Sequence, residues 1–110
     1  MALKKQFSSF QDLLNNSPVP VLVDFYATWC GPCQMMAPVL ETVNQQMNQR
    51  ILVVKVDTDK YPRLASQYQI QALPTLVLFQ GGQPINRLEG AMQANQLVQW
   101  VEGSLAATSV

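Results

Sequence analysis

Cys30 and Cys33 are the chain's two cysteines, held in the stretch Trp29-Cys30-Gly31-Pro32-Cys33. On a helix this spacing puts both side chains on one face about a turn apart, close enough for a disulfide with little backbone movement. The nucleophilic form of a cysteine is its thiolate, and a helix start stabilises one, because the first N–H groups lack partners and the dipole favours negative charge. Cys30 falls at such a start. Pro32 suits the first turn, where no N–H is demanded of it, and it restricts the chain between the sulfurs. Gly31 lets another chain approach closely. A structural zinc site wants four ligands, whereas the sequence supplies one cysteine pair and no histidine. Two cysteines so close together also staple no large loop, which argues against a secreted disulfide framework. The expected setting is a reducing cytosol in which the pair cycles between dithiol and disulfide.

The flanking segments explain how the pair is positioned. Val19-Pro20-Val21-Leu22-Val23 is an almost unbroken apolar run, and a strand buried on both faces is predicted over Val19–Tyr26. After the cysteines, Met36, Val39, Leu40, Val43 and Met47 recur at helical spacing, predicting a helix from about Pro32 to Asn48. Pro38 lies inside that helix, where a bend is expected. A central strand therefore hands over to a long helix at the cysteines.

Around this unit the pattern continues. A short strand is expected at Ala2–Lys5, then a helix carrying Phe7, Phe10, Leu13 and Leu14 and capped by Ser8 or Ser9. Ile51–Asp57 reads as a second buried strand, parallel to the first because a helix separates them. Asp59 and Pro62 open a short helix through Tyr68. Thr75–Phe79 is a third strand, Gly81-Gly82 a turn, and Gln83–Glu89 the returning strand of a hairpin that Gly90 breaks. Asn95 is expected to cap a last helix with Leu97, Val98, Val101 and Leu105 as its apolar stripe, and Ala106–Val110 to fray. The order β-α-β-α-β-α-β-β-α gives an α/β fold: a central mixed β-sheet with helices on both faces.

Composition bounds the rest. A chain of 110 residues with 48% hydrophobic content is the size of one domain with one substantial core, so a single domain over residues 1–110 is expected. Lys plus Arg and Asp plus Glu are both 7, a balance that points to neither nucleic acid nor an anionic membrane as partner. No apolar run approaches the roughly 18 residues of a membrane span. Met-Ala-Leu-Lys-Lys-Gln leads into no long apolar segment, so no signal peptide is expected and a cytoplasmic location is.

The chain resembles the thioredoxin family over essentially its whole length. Trp29-Cys30-Gly31-Pro32-Cys33 matches the family's active-site motif, and Val23-Asp24-Phe25-Tyr26-Ala27 precedes it at the family's spacing. Pro38, Lys55, Leu73-Pro74-Thr75, Gly82 and Gly90 also fall where thioredoxins have them. Two positions depart: Tyr26 stands where many members have a second Trp, and Gln34 where many bacterial ones have Lys.

The resemblance implies a thioredoxin fold and protein-disulfide reduction. Cys30 would attack a disulfide in a target protein, and Cys33 would attack Cys30 to release the reduced target. A thioredoxin reductase, NADPH- or ferredoxin-linked, would then reduce the Cys30–Cys33 disulfide, with no bound cofactor and no metal. Asp24, in an apolar strand where burial raises a carboxyl's pKa, is the candidate to take the proton from Cys33, with Lys55 of the neighbouring strand tuning it. The plain alternative for both is a buried ion pair with no catalytic part. The family's cis bond before Pro74 would let the Leu73 backbone pair with an extended target, whereas without the resemblance Pro74 is an ordinary proline at a strand start. Trp29, Gly31, Pro32, Leu73, Pro74, Gly90 and Ala91 would form a shallow apolar docking surface, core packing being the alternative for Trp29. Trp100 and the Met35-Met36 pair are assigned to packing or surface. A monomer is expected. The competing functions are disulfide oxidase or isomerase and, from another class, a non-catalytic assembly subunit of the same fold.

Overall fold

The structure is a computed structural model that describes residues 9–108. The strand expected at Ala2–Lys5, Phe7, and the alternative cap Ser8 lie outside the described residues. Eight elements follow in order: α1 (Phe10–Asn16), β1 (Val21–Tyr26), α2 (Gly31–Gln46), β2 (Leu52–Asp57), α3 (Pro62–Gln67), β3 (Thr75–Gln80), β4 (Gln83–Glu89) and α4 (Ala94–Thr108). The four strands form one mixed sheet in the order β2-β1-β3-β4. β1 and β2 run parallel, as a helical crossover requires, and β3 is antiparallel to both β1 and β4.

Alternation along the strands divides the core in two. Leu22, Leu76 and Leu78 point to one face and pack with Met36, Leu40, Val43 and Met47 of α2 and its C-cap and with Leu97 and Val101 of α4. Val21, Val23, Phe25, Val77 and Phe79 point to the other, against Leu14 and Phe10 of α1 and Leu64 and Tyr68 of the α3 region. There Tyr68 meets Phe10, Phe25 and Phe79 with ring centroids 5.4–6.0 Å apart. The sheet is thus covered by helices on both faces, and β1, at its centre, is buried from Val21 through Phe25.

The local signals have identifiable physical sources. Ser9 caps α1, its Oγ accepting the Asp12 N–H at 3.0 Å. α2 continues through Pro38 as one helix. Gly81 and Gly82 both adopt positive φ, +62° and +83°, as a two-residue turn between right-twisted strands demands. Gln11 donates to the Gly82 carbonyl at 3.1 Å, tying α1 to that turn.

The last helix corrects two expectations. It begins at Ala94, so Asn95 sits inside the first turn, where its Oδ1 still accepts the Gln96 N–H at 2.9 Å, while the Gln96 side chain reaches back to accept the Gln93 N–H at 3.1 Å. This is the returning half of a capping box, made by a glutamine three residues on. The helix also runs to Thr108, whose hydroxyl donates to Gln80 at 3.0 Å, so Ala106–Thr108 is helical, while Ser109 and Val110 of the tail expected to fray lie outside the described residues.

Candidate active site

β1 delivers the chain to the cysteines through Ala27-Thr28-Trp29, and α2 begins immediately beyond Cys30. Cys30 is the N-cap of α2: its backbone is extended and its Sγ accepts the Cys33 N–H at 3.2 Å. A sulfur in the place usually filled by Ser or Asp thus takes one of the helix's orphan donors. Pro32 occupies the first turn, where its missing N–H costs nothing. The two cysteines are joined as a disulfide with Cα atoms 5.3 Å apart. Each is only 5% exposed, packed with Ala27, Tyr26 and Leu73.

The loop before the cysteines is held from both sides. Gln34 donates from its side chain to the Thr28 carbonyl at 2.9 Å, and the Trp29 indole N–H donates to Asp59 Oδ2 at the same distance. Trp29 is 70% exposed, so core packing does not account for it. Asp59 was expected only to help open α3; its link to Trp29 spans 30 residues and no local pattern announces it.

Leu73–Pro74 is cis. Leu73 is half-buried beside the cysteine cluster, and Pro74 is buried, its carbonyl accepting the Gly90 N–H at 2.9 Å. That bond brings Gly90, at φ +96°, to the start of β3. Ala91 follows and lines an uncharged groove of about 360 Å³ with Met35, Met36, Val39 and Met92. Gly31 and Pro32 are exposed, Met35 is exposed, Met36 is fully buried, and Trp100 packs against the α2–α4 core.

Asp24 lies on the α2–α4 face of β1, the parity of Leu22. It is 1% exposed, and neither carboxylate oxygen has a hydrogen-bond partner among the described residues. Burial pushes its pKa from 3.8 up to about 6, and the positive charge of Lys55 pulls partly against that rise. Lys55 is its register partner on β2 but is exposed, with Nζ 4.7 Å from the centre of the Tyr26 ring. Lys55, Tyr26, Gln34 and Cys33 share the wall of a second cavity, of about 310 Å³. Burial first, then the negative charges of Asp57 and Asp24, raise the Tyr26 phenol above its ordinary pKa. Among the described residues no group of three or more His, Cys, Asp or Glu side chains could hold a metal ion, and no helix is long and apolar enough to cross a membrane.

A cysteine pair that closes a disulfide across the first turn of a helix, with an amide aimed at the leading sulfur, defines a thiol–disulfide exchange protein. The family model described as thioredoxin matches residues 2–103, and the chain belongs to the thioredoxin family. It is 66% identical to a thioredoxin-like protein of Synechocystis over 102 residues, covering 93% of this chain and 97% of that one. It is 60% identical over 104 residues to the chloroplastic thioredoxin Y2 of Arabidopsis thaliana, covering 94% of this chain and 62% of that longer protein. Thioredoxin 1 of Nostoc is 49% identical over 98 residues, covering 89% and 92% of the two chains. The protein is accordingly a disulfide reductase that works by thiol–disulfide exchange.

Proposed function

We propose that the protein reduces disulfides in other proteins, with Cys30 as the attacking thiolate and Cys33 as the resolving thiol. The observation that carries this assignment is the amide of Cys33 donating to Cys30 Sγ at the start of α2, which favours the anion on Cys30 once the pair is reduced. Cys30 attacks one sulfur of the target disulfide, the other sulfur leaves as a thiolate, and a mixed disulfide results. Cys33 then loses its proton and attacks Cys30 Sγ, expelling the second target sulfur. The Cys30–Cys33 disulfide forms, and two electrons have passed to the target. Asp24 is assigned as acceptor of the Cys33 proton, since a buried carboxyl at about 6 is ionised at neutral pH yet basic enough for the task. Lys55 is assigned to tune it.

Targets dock on Trp29, Gly31, Pro32, Leu73, Pro74, Gly90 and Ala91, with an extended target segment pairing with the Leu73 backbone. The exposure of Trp29, Gly31, Pro32 and Ala91 supports this surface. The family works with disulfide targets and with reductases. For this chain we assign an NADPH- or ferredoxin-linked thioredoxin reductase, no bound cofactor beyond the Cys30–Cys33 disulfide, one thioredoxin domain over residues 1–110, a monomeric state and a cytoplasmic location.

Cys33→Ser is the test. It should accumulate target proteins as mixed disulfides through Cys30, whereas Cys30→Ser should trap none. Insulin reduction that survives loss of Cys30 would overturn the assignment. A glutathione equilibrium separates reductase from oxidase, a potential well above about −200 mV marking the latter.

A further inference from the structure

Asp24 and Lys55 face each other across adjacent parallel strands, a placement from which a lysine can close a direct ion pair with a buried carboxylate. Here it does not. Among the described residues neither Asp24 oxygen has a hydrogen-bond partner, and the Lys55 ammonium lies over the Tyr26 ring, 4.7 Å from its centre. Tyr26 is two residues beyond Asp24 on β1, so strand alternation turns both to the same face. An exposed lysine samples many rotamers and stays near one point only if something holds it. The face of an aromatic ring, negative through its quadrupole, can do so.

We propose that Tyr26 is a positioning residue whose ring holds the Lys55 ammonium within short range of the Asp24 carboxylate and thereby sets how readily that carboxyl releases its proton. The surroundings leave few other charges to do this. β2 contributes Lys55 and Asp57, and β1 contributes the Tyr26 phenol. β3 presents Leu76, and the cavity wall from α2 is Cys33, Gln34 and Ala37. Asp57 is occupied by the amides of Asp59 and Lys60. Lys55 is therefore the single cation near Asp24 in this set, and the ring decides where it rests. The arrangement stands independently of catalysis. Its effect on turnover rests on Asp24 taking the Cys33 proton, which Asp24→Asn kinetics test separately.

The Asp24 carboxyl carbon can be followed by NMR through a pH titration of the oxidised protein, with Asp24→Asn assigning the signal. Tyr26→Leu should raise the midpoint by about half a pH unit, in the same direction as Lys55→Met. Tyr26→Phe, which keeps the ring, should leave it in place. Adding Tyr26→Leu to Lys55→Met should move it no further. An equal shift from Tyr26→Leu with and without Lys55 would reduce the ring to a cover over Asp24, and a fall would make it a barrier between the charges; either overturns the proposal. If Tyr26→Leu does not fold, Tyr26→Trp serves: its stronger π face should lower the midpoint when Lys55 is present and not in Lys55→Met, and an equal change in both refutes the tether.

Discussion

Asp24→Asn should stabilise the protein, by an amount that depends on pH in a defined way. In the folded chain burial pushes the carboxyl from 3.8 up to about 6, the positive charge of Lys55 pulling partly against that rise. Between those two values the folded state holds the proton more tightly than the unfolded chain does. Stability therefore falls as pH rises through that window, and it is flat in this group on either side. At about 1.4 kcal/mol per pH unit, the ionised carboxylate costs the fold about 3 kcal/mol above pH 6. Asparagine resembles the protonated acid in shape and carries no charge, so the variant should match wild type near pH 3.5 and exceed it by about 3 kcal/mol at pH 8. With a urea m-value of about 1–3 kcal/mol/M, the midpoint at pH 8 moves up by about 1 to 3 M. The measurement is urea unfolding of the oxidised proteins from pH 3.5 to 8, which keeps the thiols out of the titration. A stability gain that is the same at both ends of the range, or none at pH 8, would refute the reasoning.

Three further outcomes follow from the packing. Met36→Ala, in the fully buried α2 position, should cost about 2–5 kcal/mol by thermal or urea unfolding, while its exposed neighbour Met35→Ala should stay within about 0.5 kcal/mol of wild type. Gly82→Ala should destabilise more than Gly81→Ala in the same assay: both have positive φ, but a Cβ at 82 would collide with the Asn15 side chain while one at 81 would meet open space. Ser9→Ala should cost about 1 kcal/mol through the lost cap on α1, and Ser9→Asp should restore most of it.

The central handover from strand to helix was legible because its signals are local and redundant. The apolar run ending at Tyr26, the cysteine spacing, Pro32 and the stripe from Met36 to Met47 each pointed to the same unit. α4 starts one residue before Asn95 because two side chains share the helix-start amides: Asn95 accepts the Gln96 N–H, and Gln96 reaches back to the Gln93 N–H. Of the tail expected to fray, Ala106–Thr108 is helical and Thr108 bonds to Gln80 on β3, a contact that no window of sequence contains. The same limit hid the pairing of Trp29 with Asp59 and the resting place of Lys55 over Tyr26. Tyr26 was visible only as a departure from the family pattern; its partner required the register of β1 against β2.

Because the leading sulfur is also an acceptor at the start of α2, the reactivity proposed for Cys30 is coupled to the local fold. Whatever loosens the opening turn of that helix withdraws the amide from the sulfur and, on the proposed role of Cys30, would blunt its attack. Conversely, negative charge on that sulfur would strengthen its bond to the Cys33 amide and so favour the opening turn.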